Sequence, residues 1–163
     1  MTTELEFVSR YGGIYEHSPW VAEEAAPDAA GTDKLHRIAE IMADCVDNAS
    51  SERQLALIRA HPDLAGKAQI AGELTRDSSA EQASAGLDQC STDEYDRFRS
   101  LNELYREKFG FPFVVAVRGS SRAEILAVFS RRLDNDAATE FEAALSEIHE
   151  IARLRLQAME GSK

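Results

Sequence analysis

The sequence predicts an all-α fold: a single-domain helical bundle of about seven to eight helices with one short extended connector. Three observations predict it. Apolar residues recur at three- and four-residue spacing instead of alternating. A serine followed three residues later by glutamate, the pattern of a helix capping box, occurs at Ser78-x-x-Glu81, Ser91-x-x-Glu94 and Ser121-x-x-Glu124. One apolar, β-branched run, residues 111–117, has no second run to pair with and reads as a lone extended segment. No repeat, low-complexity tract or linker interrupts the chain, so residues 1–163 read as one domain.

The elements follow in order. Thr3 caps a first helix that stops at Gly12-Gly13. Ser18 and Pro19 form an N-cap and first-turn pair for a second helix to about Ala26, with 27–31 as a loop. Thr32 opens a long helix on which Leu35, Ile38, Ile41, Met42 and Cys45/Val46 share a face. Ser50 or Ser51 opens a helix over 51–60 with Leu55, Leu57 and Ile58 inward, and Pro62 ends it by disfavouring the α conformation at His61. Residues 64–74 are weakly helical. The Ser78 box starts a helix to about Leu87, the Ser91 box one that ends at Gly110, and the Ser121 box one that leads to Leu133. Asp136 begins the last and longest helix, to about Met159.

The charge narrows the partners. A net charge of -11 and a pI near 4.8 exclude nucleic acid and anionic membrane surfaces, which need clustered Lys/Arg. A small anionic ligand is not excluded, because one local arginine can hold it. Cys45 and Cys90 show no metal-type spacing and read as reduced thiols of a cytoplasmic protein. No apolar run is long enough to span a membrane, and the first residues lack a signal pattern. The final Gly-Ser-Lys is one residue short of a Ser-Lys-Leu address.

The residues with chemical potential are few. In His61-Pro62-Asp63-Leu64-Ala65-Gly66-Lys67 an imidazole sits at a helix C-terminus, on a stiff turn, beside a carboxylate. The helix end favours the protonated ring, and histidine changes charge near neutrality. His61 therefore reads either as a proton-transfer group or as a cap for helix carbonyls, at a position expected to bury little. Glu81 closes a capping box or, with Gln82, faces a polar ligand at a helix start. Arg155 lies within about 40° of the centre of the stripe formed by Phe141, Leu145, Ile148, Ala152 and Met159. An inward arginine needs an anion, which is either a buried carboxylate or a ligand. Arg153 falls on the solvated face. The backbone of the 111–117 connector either threads the core or lines a pocket. His17 and His36 offer less, and Arg153 at i+4 opposes charging His149. No histidine pair has metal spacing, and no phosphate loop or nucleophile elbow occurs.

Four segments occur in one order: the His61–Lys67 motif, Ser78-x-x-Glu81-Gln82-x-x-Ala85-Gly86-Leu87, Phe109-Gly110-Phe111-Pro112-Phe113-Val114-Val115, and Ile151-Ala152-x-Leu154-Arg155-Leu156. With Tyr15-Glu16-x-Ser18-Pro19-Trp20 they resemble the 2-oxo-4-hydroxy-4-carboxy-5-ureidoimidazoline (OHCU) decarboxylases of purine breakdown, over nearly the whole chain. The resemblance implies an all-α fold, formation of (S)-allantoin, no cofactor and a homodimer. It implies that His61, Glu81 and Arg155 are catalytic. It implies that Pro62, Ser78, Ser79, Ala80, Glu81, Gln82, Phe113, Val114, Val115, Ala116 and Val117 line the substrate. A carboxyl carbon next to a C=N bond needs no external electron sink, which suits a site without metal. The alternative is a non-catalytic helical interaction module in which Arg155 is half of a structural ion pair.

Overall fold

The computed structural model describes residues 2–161, which form nine helices and no strand. They are α1 (Glu4–Tyr11), α2 (Trp20–Ala29), α3 (Leu35–Asp47), α4 (Ser51–Arg59), α5 (Lys67–Ala71), α6 (Arg76–Ser84), α7 (Thr92–Phe109), α8 (Arg122–Arg132) and α9 (Ala137–Gly161). The all-α class is as the sequence predicts, with slightly more helices. The chain divides into two compact units, Met1–Ala60 with Ile148–Lys163, and His61–Glu147.

In the first unit α1 packs on α2, and α2 on α3. Thr3 and Glu6 close a reciprocal capping box at α1, with both bonds at 3.1 Å. Two expected boundaries are corrected. α2 runs through Pro27 to Ala29, where a loop was expected, and Ser18 is not its cap. The Ser18 hydroxyl donates to the Glu16 carbonyl at 2.8 Å instead. Pro27 has no N–H for the preceding turn, but Ala22, Ala25, Ala26 and Ala29 are all buried, and that alanine face outweighs the lost bond. α3 starts at Leu35, not Thr32, because the Thr32 hydroxyl accepts the Lys34 N–H at 3.2 Å and closes a local turn. Ile38, Ile41, Met42 and Val46 are buried along α3. Ser50 caps α4 through the Arg53 N–H, and Leu57 and Ile58 are buried while Leu55 is half-buried.

In the second unit α7 packs on α8. α5 is a single short turn, much shorter than the expected 64–74, because Gly72 ends it at φ 73°. α6 begins earlier than expected. Its cap is Thr75, whose hydroxyl accepts the Ser78 N–H at 3.2 Å, and the helix stops at Ser84. Thr75 is no easier to see than Ser78 because serine occupies N3, so no Thr-x-x-Glu pattern exists there. α7 carries the expected Ser91–Glu94 box and ends at Gly110, at φ 78°. Ser121 caps α8, although Glu124 accepts from the Ser121 hydroxyl and not from its N–H. Asp136 caps α9 by accepting the Thr139 N–H at 2.7 Å.

The 111–117 segment is extended and pairs with no strand. Side chains satisfy part of its backbone. Arg132 Nη1 donates to the Val114 carbonyl at 2.7 Å, and the Glu147 carboxylate accepts the Ala116 N–H at 3.4 Å. Phe113 stacks on Phe129 with centroids 3.9 Å apart, and the Tyr105 ring meets Phe111, Phe113 and Phe129 edge-on. Beneath this cluster Arg132 Nε donates to Glu140 Oε1 at 2.9 Å, and the Tyr105 hydroxyl donates to the same oxygen at 2.5 Å. Asn135 Nδ2 donates to the other carboxylate oxygen. Burial, with help from the bond to Glu140, pushes the Tyr105 phenol well above its ordinary value.

Candidate active site

His61 follows the C-cap Ala60 of α4, as the Pro62 rule requires. It is not a surface residue: only 6% of it is exposed, which corrects the expectation that this position buries little. The turn after it is tied down at four places. The Gln82 amide oxygen accepts the Ala65 N–H at 3.0 Å, and the Gln82 amide nitrogen donates to the Asp63 carbonyl at 3.2 Å. Asn102 Nδ2 donates to the Leu64 carbonyl at 3.0 Å. Arg106 donates through Nε and Nη2 to Asp63 Oδ1, at 3.1 and 2.9 Å. The carboxylate next to His61 in sequence is thus committed to Arg106. These bonds hold Ala65 at φ 49°, a left-handed conformation that an L-residue adopts only when its surroundings impose it.

On α6 the buried residues are Ser78, Glu81 and Gln82, spaced to share one face. The revised cap changes the reading of Glu81. Thr75 caps the helix, so Glu81 lies two turns in and no capping box explains it. It is 8% exposed. Ser79 and Ala80 are exposed, whereas Glu81 and Gln82 are buried. A side-chain role for Ser79 and Ala80 is harder to support than for Ser78. In the connector Phe113, Val114 and Val117 are buried, and Val115 and Ala116 half-buried. With the Val114 carbonyl and the Ala116 N–H engaged within this unit, fewer backbone groups remain for a ligand than a bare extended segment would offer.

Arg155 belongs to the first unit and is 3% exposed, as its place on the apolar stripe predicts. Its Nη1 reaches the Gly13 and Ile14 carbonyls at 3.4 and 3.3 Å, and its Nη2 lies 3.6 Å from Glu16 Oε2. Glu16 is itself 2% exposed, so the buried carboxylate left open by the sequence reading is present. Arg153 is solvated and pairs with Glu150. Behind the Tyr15-Glu16 segment, the Tyr15 hydroxyl meets His149 Nδ1 at 2.8 Å, and His149 Nε2 meets Asp47 Oδ1 at 2.9 Å. His149 thus has a carboxylate, that of Asp47, at its Nε2, a partner that the i+4 spacing to Arg153 did not reveal. The sequence reading missed Asn102 and Arg106 as holders of the His61 turn, and no local signal could have shown them across their sequence separation.

Among the described residues, no group of three or more His, Cys, Asp or Glu side chains is placed to hold a metal, and no helix is long and apolar enough to cross a membrane. Cys45 and Cys90 are free thiols. An all-helical protein that buries an imidazole, a carboxylate and an amide around one rigid turn has the makings of a small-molecule enzyme. The family profile described as OHCU decarboxylase matches residues 2–157, across both units. The chain belongs to the OHCU decarboxylase family, whose members are carboxy-lyases. It is 49% identical over 150 residues to 2-oxo-4-hydroxy-4-carboxy-5-ureidoimidazoline decarboxylase of Haloferax volcanii, covering 92% of this chain and 86% of that one. It is 42% identical to the uric acid degradation bifunctional protein of a Bacillus species, covering 93% of this chain and 29% of that longer one. Among solved structures, (S)-allantoin synthase superposes with a TM-score of 0.77 at 34% identity, covering 96% of this chain and half of that chain. Family membership sets aside the reading as a non-catalytic module. The ion pair which that reading required exists nonetheless, so Arg155 serves the fold whatever else it does.

Proposed function

We propose that this chain decarboxylates 2-oxo-4-hydroxy-4-carboxy-5-ureidoimidazoline to (S)-allantoin in urate breakdown, without a cofactor. The observation that carries the reading is the family match over residues 2–157, in which the His61 turn is intact and its imidazole buried. The chemistry suits the residues. The substrate bears a carboxylate and a hydroxyl on one ring carbon, beside a C=N bond. When the bond to the carboxyl carbon breaks, carbon dioxide leaves and its electron pair forms a ring C=C bond, while the imine nitrogen takes a proton. Loss of the hydroxyl proton then makes the carbonyl, and a proton added to the neighbouring carbon sets the S configuration.

His61 is the proton-transfer group of this scheme. Glu81 positions the ureido and ring N–H groups, which a carboxylate accepts well. Arg155 supplies a charge-assisted fork for the anionic substrate, which the net charge of -11 would otherwise repel. Pro62, Ser78, Gln82 and the 113–117 backbone complete the lining, with Ser79 and Ala80 contributing through their main chain. The protein acts as one functional domain and as a homodimer, for which exposed Ile70 and Leu104 are candidate contacts. Two free thiols support a cytoplasmic setting.

The test is a coupled assay that supplies freshly generated substrate, follows loss of its ultraviolet absorbance and reads the product by circular dichroism. The expected result is fast decay to (S)-allantoin, unchanged after dialysis against a strong chelator. Decay at the uncatalysed rate, or racemic product, would overturn the reading. Sedimentation velocity tests the dimer.

A further inference from the structure

We propose that Asn102 and Arg106 are positioning residues that set the orientation of His61, an inference that rests on the proton-transfer role given to His61 above. The two lie four residues apart on α7 and so share a face of that helix. Both grip the turn that begins at His61, at different points. Asn102 holds the Leu64 carbonyl, and Arg106 holds the Asp63 carboxylate with two N–H groups on one oxygen. Gln82 closes the same turn from α6. A residue at φ 49° within the turn indicates that the backbone is constrained by these contacts and has not relaxed.

The two grips differ in a way that separates positioning from stability. Asn102 is buried, whereas the Arg106 side chain is 53% exposed and its Asp63 partner 27% exposed. A solvated pair of this kind adds little to folding stability. A catalytic group displaced by about 1 Å can nevertheless lose about a hundredfold in rate. Replacing Arg106 should therefore cost turnover while leaving the melting temperature nearly unchanged, which a purely structural salt bridge would not do.

The experiment uses the full chain with Arg106→Gln, Arg106→Lys, Asp63→Asn and Asn102→Ala. It records kcat and KM for each, the melting temperature, and the His61 ring signal by NMR in the protein without substrate, assigned by its loss in His61→Asn. The expected result is a fall in kcat of about 10- to 100-fold for Arg106→Gln, with KM changed by less than about threefold. Arg106→Lys should recover part of the loss, since one ammonium N–H can replace one of the two donors. The His61 ring signal should shift or split in parallel. Normal kcat in folded Arg106→Gln and Asp63→Asn overturns the proposal, as does a fall in kcat with the His61 signal unmoved. If Asn102→Ala fails to fold, the three surface variants decide alone. The ring signal needs no substrate, so a wild-type protein inactive toward the ureidoimidazoline would defeat the proposed reaction and leave this positional result readable.

Discussion

Arg155 Nη2 lies 3.6 Å from Glu16 Oε2, and both side chains are closed off from solvent. The pairing changes what a mutation at Arg155 should do. From the helical face alone, an inward arginine waiting for an anionic substrate would leave no charge stranded when removed. With Glu16 buried beside it, Arg155→Ala should destabilise the protein by about 3–5 kcal/mol, because a buried carboxylate loses its cation. Arg155→Lys keeps the charge and most of the stability. It loses the planar fork, so turnover should fall by about two powers of ten if the guanidinium also meets the substrate. Urea midpoints and turnover on the two variants separate the roles. Full activity in Arg155→Lys would remove the arginine from substrate binding and leave it as a structural ion.

His61→Asn should lower turnover by about two to four powers of ten, the usual scale for losing general acid–base help. The burial of His61 means the substitution is not silent for the fold, and a loss of about 1 kcal/mol is expected. Turnover and thermal unfolding measured on one preparation check both parts. A variant with near-normal turnover would take the imidazole out of the mechanism.

Much of this was legible in the sequence, and the misses share a cause. Helix class, the capping box at Ser91, the cap at Asp136 and the stop at His61-Pro62 are set by local chemistry, which neighbouring residues reveal. The inward face of Arg155 followed from helical period alone. Pro27 misled because the burial of an alanine face, a tertiary effect, overrode a local breaker. Ser78 misled because Thr75, three residues earlier, took the cap and turned Glu81 from a cap residue into a buried carboxylate. The partners Glu16 for Arg155, Arg106 for Asp63 and Glu140 for Arg132 are contacts between segments, and no single-sequence pattern encodes which charge meets which.

Glu140 and Tyr105 should make the protein sensitive to alkali. Burial and the bond to Glu140 hold the Tyr105 phenol protonated well above its ordinary pKa, and burial does the same for Tyr15. Unfolded tyrosines lose their protons above about pH 10, while these two keep theirs in the fold. Above that pH the unfolded state binds fewer protons than the folded state, so stability falls as pH rises. Denaturation midpoints should drop progressively as pH rises from about 10 to about 12, and Tyr105→Phe should flatten that slope. Equal slopes in the two proteins would show that Tyr105 does not contribute.

Gly66 tests the rigidity of the His61 turn from inside. A Cβ added there would lie 2.7 Å from the Asp63 Cβ, and that atom is anchored to the backbone with no flexible end to swing away. Gly66→Ala must therefore open the turn. The overpacking should cost about 1–3 kcal/mol. It should also move Asp63 relative to Arg106 and lower turnover beyond what the stability loss explains, because His61 lies only two residues before Asp63. The check is kcat measured well below the melting transition, where the variant is fully folded. Wild-type kcat there would mean that the turn can widen without disturbing the imidazole, and the five bonds at Asp63, Leu64 and Ala65 would then serve the fold and not the reaction.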